Sequence, residues 1–282
     1  MPLQYNEYYN EKTGLTIGLK KLLYSKQTDY QLVEVYETDT WGNLMTIDGM
    51  VMLSERDEFV YHEMLSHVAM FTHPEPKRVL IIGGGDGGTA REVLKHPSVE
   101  WVDMVEIDEA VVEASKLHMP DVGDFENKKL NVLFEDGINF VKNVQNPYDV
   151  IIIDGSDPVG PAEGLFEKDF YQLCFDALGD DGVLTTQTES PWVESYHPSM
   201  KKVFGALEDI FEISKMYLSF IPLYPAGMWS MGFASKKYDP LSSDVNERID
   251  AHKDILNTLK YYNKDIHTGS FALPNFVSEI IR

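Results

Sequence analysis

The sequence predicts an α/β fold in two parts: a small antiparallel β domain over residues 1–54, then a larger domain over 55–282 built on a mostly parallel sheet. Three observations carry this. The first fifty-odd residues are short apolar runs separated by turn signals, among them Trp41-Gly42-Asn43 and Asp48-Gly49. From Lys77 onward, apolar runs alternate with amphipathic stretches, the pattern of a parallel sheet covered on both faces. The last two apolar runs are joined by Pro222-Leu-Tyr-Pro225 with no helix between, so that pair is predicted antiparallel.

Taken in order, strands are expected over 14–24, 30–38, 44–47 and 50–53. A sheet this small cannot cover both its faces, so it must lean on the larger domain or on a second copy of itself. Ser54-Glu-Arg-Asp57 resembles a capping box that opens a helix running to about His73, where Pro74 and Pro76 stop it. Strands follow at 78–82, 101–106, 130–134, 148–153 and 182–187, and helices at 88–96, 109–118, 137–144, 167–178 and 198–211. Strands 213–221 and 228–235 bring the count to seven. A terminal hairpin makes this a Rossmann-like sheet of the methyltransferase type rather than a six-stranded all-parallel one.

Composition narrows the function. A net charge of -22 over 282 residues argues against a nucleic-acid surface, which needs excess Lys and Arg, and mildly favours a cationic substrate. The single cysteine, Cys174, can make no intrachain disulfide, and no Cys/His cluster has zinc-ligand spacing, so no metal is expected. No apolar run approaches a membrane span, and the polar start Met1-Pro-Leu-Gln-Tyr-Asn lacks a signal peptide's apolar core. The expected location is the cytoplasm.

The most informative segment is Val79-Leu-Ile-Ile-Gly-Gly-Gly-Asp-Gly-Gly88. Gly83-x-Gly85-x-x-Gly88 after a buried strand is a dinucleotide fingerprint, but it contains Asp86. A pyrophosphate about 4 Å from that carboxylate would be repelled by about 4 kcal/mol at an effective dielectric near 20. The helix N-terminus offers only about 0.3–1 kcal/mol in return. A cationic or neutral group fits better, although Asp86 could also simply cap the next helix.

Acids stand at all four strand ends of the parallel sheet: Asp86, Glu106, Asp136 and Asp154. Glu106 follows Asp86 by about 20 residues, the distance at which a carboxylate takes both ribose hydroxyls. Asp136 can accept an adenine amino proton while the Gly137 N–H meets a ring nitrogen; a helix cap is the plainer alternative for each acid. Together they describe an S-adenosylmethionine-type cosubstrate. Asp86 would repel that molecule's carboxylate, whereas a decarboxylated tail ending in an ammonium would gain about 1.5–3 kcal/mol from it. The chemistry then shifts from methyl to aminopropyl transfer.

Tyr61-His-Glu63, Gly83-Gly-Gly-Asp-Gly-Gly88, Val105-Glu-Ile-Asp108, Asp154-Gly-Ser-Asp-Pro-Val-Gly-Pro161 and Ile221-Pro-Leu-Tyr-Pro225 together resemble the spermidine synthase family of polyamine aminopropyltransferases, along essentially the whole chain. The resemblance implies Asp154 as general base, with Asp157 holding the diamine beside it. It also implies that Gln31, Glu106, Asp136, Gly137 and Pro161 hold the nucleoside of decarboxylated S-adenosylmethionine, that Asp86 meets its ammonium, and that Tyr61, His62, Gln187 and Tyr224 wall the polyamine site. No tightly bound cofactor is implied, and homodimers or homotetramers are.

The expected reaction forms spermidine and 5'-methylthioadenosine from putrescine. Cadaverine, agmatine or a triamine stays open as acceptor, because one methylene is worth only about 1–3 kcal/mol in a pocket. An S-adenosylmethionine-dependent methyltransferase and a non-catalytic polyamine-binding protein are the other classes. Methyl transfer without aminopropyl transfer would establish the first; Asp154→Asn discriminates the second, an enzyme being expected to lose much of its turnover with fold and nucleoside binding retained, and undiminished turnover would remove Asp154 from its role. The 154–166 loop is long enough for a lid.

Overall fold

The computed structural model describes residues 3–156 and 160–282, with the side chains of 160–162 left aside. Strands β1 (Leu3–Tyr8), β2 (Gly14–Gln27), β3 (Leu32–Thr38), β4 (Asn43–Ile47) and β5 (Met50–Ser54) form one antiparallel sheet in chain order. At the β4–β5 hairpin, Ile47 pairs with Met50, and both intervening residues have positive φ, 50° at Asp48 and 75° at Gly49. That is the primed turn an Asp-Gly pair favours. β1 was not expected from the sequence: its residues are mostly polar and only Tyr5 is buried, so its pairing with β2 decides its conformation.

One face of this sheet leans on the larger domain, where Val33, Val35, Met45 and Ile47 pack against Val111 and Ala114 of helix α3 (Glu109–His118) and Met119 just after it. Thr28 Oγ1 also donates to Asp108 Oδ2, 2.8 Å away, at the start of that helix.

Helix α1 spans Glu58–Thr72, and the capping box expected at Ser54 is not what opens it. Ser54 Oγ instead donates to Asp57 Oδ1 (2.6 Å), and Asp57 Oδ2 accepts the Leu223 N–H, so Asp57 ties the helix start to a distant turn. Nearly every residue of α1 is buried, polar ones included, which is why it shows little amphipathic bias.

The second sheet comprises β6 (Arg78–Gly83), β7 (Trp101–Glu106), β8 (Leu130–Phe134), β9 (Tyr148–Asp154), β10 (Leu178–Glu189), β11 (Ile213–Phe220) and β12 (Met228–Ser235), in the order β11-β12-β10-β9-β6-β7-β8. β12 runs antiparallel to both neighbours, as the helix-free connection predicted. Helix α2 (Gly88–Leu94) follows β6, and α4 (Gly137–Lys142), α5 (Lys168–Ala177) and α6 (His197–Ile210) follow β8, β9 and β10. α1 and α2 cover one face of the sheet, and α4, α5 and α6 the other.

Two further regions differ from the sequence reading. Part of the 154–166 loop is a 3-10 helix, Gly160–Phe166, while Asp157 to Val159 lie outside the described residues. Residues 243–280, given no elements, form four short helices, α7 (Ser243–Ala251), α8 (Lys253–Leu256), α9 (Lys264–Ser270) and α10 (Asn275–Ile280). Buried Glu63 of α1 anchors this tail by accepting the backbone N–H groups of Lys260, Tyr261 and Tyr262. Among the described residues, no helix is long and apolar enough to cross a membrane.

Candidate active site

β6 stands between β7 and β9, so the chain leaves it toward one side and returns on the other, a topological switch point where ligands collect at strand ends. Gly83 pairs with Asp154 there, and the Gly84 N–H donates to the Asp154 carbonyl at 2.9 Å. The glycines answer first to the protein itself. A Cβ on Gly83 (φ 82°) would stand 2.2 Å from the Asp154 carbonyl oxygen, one on Gly85 2.7 Å from Glu106 Oε2, and one on Gly88 2.3 Å from the His62 ring.

Two cavities meet at Gly155 and Ser156, which line both. The larger is lined by Gln31, Gly83, Glu106, Asp136, Gly137 and Asp154, which the sequence reading grouped together. Glu106 is buried and accepts the N–H groups of Gly85 (3.1 Å) and Asp108 (2.9 Å), yet burial still pushes its pKa up to about 7. Asp136 does cap α4, with Oδ1 accepting the Asn139 N–H at 3.0 Å, and it lines the cavity as well. The two readings of that residue were not exclusive.

The smaller cavity is aromatic. Tyr61, Tyr224 and Trp229 line it with Gln187, and the Tyr224 ring lies 5.7 Å from Tyr61 and 4.8 Å from Trp229. Gln187 Nε2 donates to the carbonyls of Gly155 and Ser156, which holds the junction. Glu7 of β1 also lines this cavity, its Oε2 accepting the Val51 N–H at 2.7 Å. It escaped the sequence reading because β1 did.

Asp154 lines the larger cavity, next to the shared Gly155, and bonds Tyr61 of the smaller one. Its Oδ1 accepts from the Tyr61 hydroxyl (2.7 Å) and its Oδ2 from Thr89 Oγ1 (2.6 Å). Burial, and then the charge of Asp86, raise its pKa above the ordinary carboxylate value. Thr89 was also unforeseen, although its place one residue beyond the glycine loop was a usable signal.

Asp86 and Gly85 line neither cavity. Asp86 stands just behind, 15% exposed, with Oδ1 accepting both the Gly88 N–H (2.7 Å) and His62 Nε2–H (3.1 Å). His62 is likewise not on the polyamine wall. It is buried, with Nδ1 2.6 Å from Glu58 Oε2 and Nε2 on Asp86, an arrangement that only an imidazolium satisfies. Burial works against that charge, but the two carboxylates prevail and raise its pKa well above the usual histidine value. Burial likewise pushes Asp86 up, and His62 outweighs it and holds Asp86 below its usual value.

His62, Asp86 and Asp154 offer ligand-type atoms within 4.8 Å of one another. An imidazolium has no lone pair for a metal, so the set makes a poor metal site. Asp157 falls outside the described residues, and so does the side chain of Pro161.

Residues 4–55 match the model of the spermidine synthase tetramerisation domain, and residues 58–245 that of the spermine/spermidine synthase domain. A polyamine aminopropyltransferase of Clostridium botulinum (strain Alaska E43 / Type E3) is 46% identical over 282 residues, spanning 100% of this chain and 98% of the relative. One of Caldicellulosiruptor bescii is 46% identical over 285 residues, spanning 100% and 99%. A spermidine synthase solved in complex with the transition state analogue AdoDATO aligns with a TM-score of 0.94 at 42% identity, over 100% of this chain and 96% of that one. The Thermotoga maritima spermidine synthase aligns with a TM-score of 0.91 at 41% identity, over 100% and 95%.

Proposed function

The chain belongs to the spermine/spermidine synthase family, and on that premise we propose that it transfers the aminopropyl group of decarboxylated S-adenosylmethionine to putrescine, giving spermidine and 5'-methylthioadenosine. The observation that carries this reading is the buried carboxylate of Asp154, which lines a cavity ringed by acids and accepts from Tyr61 in the wall of an adjoining aromatic one. Gln31, Glu106, Asp136 and Gly137 take the nucleoside in the first cavity; the second takes the diamine.

An amine with a pKa near 10.4 costs about 4.6 kcal/mol to deprotonate at pH 7. The apolar walls of Tyr61, Tyr224 and Trp229 lower the amine's pKa while burial raises that of Asp154, which narrows the gap. Asp154 takes one ammonium proton. The nitrogen lone pair then attacks the aminopropyl carbon next to sulfur, the C–S bond breaks, and sulfur keeps the electron pair as a neutral thioether. Positioning supplies much of the remaining acceleration.

The second ammonium of the diamine needs its own acid. Asp157 was the sequence's choice; Glu7 is the one carboxylate among the described residues lining the aromatic cavity. Glu7→Gln is expected to raise KM for putrescine about 10–100-fold, the worth of one charge-assisted hydrogen bond, with KM for the sulfonium substrate unchanged in the same steady-state assay. Equal KM values in variant and parent would remove Glu7 from this role.

Glu106 sets a pH dependence. With its pKa near 7, it is protonated below neutrality and cannot accept from both ribose hydroxyls. Methylthioadenosine affinity is therefore expected to rise with pH, by at most about tenfold per unit below 7, and to level off above it. Calorimetry across this range checks it, and a flat profile would contradict the assignment.

The match of residues 4–55 to a tetramerisation domain supports an oligomer. We take residues 1–54 as the assembling unit, with exposed Leu3, Tyr8 and Leu22 as contacts, in a dimer or a tetramer located in the cytoplasm. Incubating the protein with decarboxylated S-adenosylmethionine and diamines of increasing length tests the proposal: spermidine formation fastest with putrescine supports it, and preference for another amine replaces the acceptor.

A further inference from the structure

Behind the site lies a linear array of alternating charges that substrate does not explain. Arg91 of α2 holds Glu58 through two parallel contacts, Nη1 to Oε1 at 3.0 Å and Nη2 to Oε2 at 2.9 Å. Glu58 Oε2 accepts from His62 Nδ1, four residues on along α1, and His62 Nε2 reaches Asp86 Oδ1. Arg91 is itself fixed, with Nε on Glu92 Oε1 at 2.8 Å and Nη1 on the Val122 carbonyl at 2.8 Å. Glu58 and His62 are 7% and 2% exposed, so these contacts act with little solvent screening. Both contacts to Asp86 fall on Oδ1, which leaves Oδ2 without a partner among the described residues.

We propose that Glu58 and Arg91 are positioning residues of the transfer, acting through His62 to hold Asp86 ionised and in the one rotamer that turns Oδ2 toward the aminopropyl ammonium. The inference rests on the reading of the site given above. Two carboxylates as shielded and as close as Asp86 and Asp154 do not both ionise without a nearby cation. His62 is that cation, and it stays one only while Glu58 accepts the hydrogen bond from its Nδ1–H. Arg91 in turn keeps Glu58 charged and immobile. The groups facing His62 are Glu58 and Tyr61 from α1, Asp86 from the loop after β6, Asp154 from β9 and, through Glu58, Arg91 from α2.

The test has two readouts. Nitrogen NMR of the histidines, with His62 assigned from the spectrum of His62→Gln, is expected to show both His62 nitrogens protonated between about pH 5 and 8 in the parent protein and a titration inside that window in Glu58→Gln. In kinetics, Glu58→Gln is expected to raise KM for decarboxylated S-adenosylmethionine about tenfold or more, with kcat less affected and the Kd of methylthioadenosine unchanged. Arg91→Lys, which keeps the charge but loses the fork, should show the same pattern at smaller amplitude, and it carries the test if Glu58→Gln fails to fold. A neutral His62 in the parent at pH 7, or an unchanged KM in a folded variant, overturns the proposal. If the parent protein shows no aminopropyl transfer, the functional reading fails by itself, and the NMR titration still decides the charge state of His62.

Discussion

Asp154→Asn is expected to lower kcat by about 10²–10⁴-fold, the usual contribution of a general base, with the fold and methylthioadenosine binding retained. The variant keeps the shape of the side chain. Its amide can still bond the Tyr61 and Thr89 hydroxyls, which now hold Oδ1 and Oδ2, because a hydroxyl can turn to accept. What it loses is the capacity to take a proton. Removing a carboxylate that sits buried beside Asp86 also relieves a repulsion, so thermal stability should hold or rise. In the parent protein, activity should climb with pH through a limb above the ordinary aspartate range, since Asp154 works only after losing its proton and its pKa is raised. Stopped-flow single-turnover rates with saturating substrates measure the chemical step directly. Turnover at the parent rate would show that another group accepts the proton.

The second large effect concerns the choice between two nearly identical sulfonium compounds. Asp86→Asn preserves Oδ1, and with it the contacts to Gly88 and His62, but replaces the free carboxylate oxygen with an amide nitrogen. Decarboxylated S-adenosylmethionine then loses a charge-assisted bond worth about 1.5–3 kcal/mol. The carboxylated form is relieved of a repulsion of about 4 kcal/mol if its carboxylate stands about 4 Å from Asp86 at an effective dielectric near 20. The two changes act in opposite directions, so the ratio of the two inhibition constants should collapse even where each constant moves modestly. Measuring both constants in both proteins is the check. A ratio that survives the substitution would mean that shape, not charge, makes the distinction.

Much of this site could be read before the structure because its parts are local. The glycine loop, the acid about 20 residues after it and the acids ending each strand follow from strand period and turn chemistry over a few residues. The i, i+4 spacing of Glu58 and His62 was equally visible, yet its meaning was not. Helical spacing says only that the two side chains can touch; whether they pair depends on Arg91 arriving from another helix and Asp86 from a loop. His62 therefore read as a polyamine contact, when its two nitrogens are held by Glu58 and Asp86 instead. Glu7 and the helices over 243–280 stayed illegible for a related reason. A mostly polar strand and several one- or two-turn helices carry too little periodic signal, and each is held by partners far away in the chain, Glu7 by Val51 and the tail by Glu63.

The amino-acid sequence by itself determined the alternation of strands and helices, the antiparallel terminal hairpin, the turn at Asp48-Gly49 and the row of acids at the strand ends, because each depends on a short stretch of backbone and its own side chains. Tertiary structure alone decided that Gly83 stands beside Asp154, that two cavities meet there, and that His62 faces inward between two carboxylates. Strand order and the burial of α1 follow from the packing of the whole chain, and no local window contains that sum.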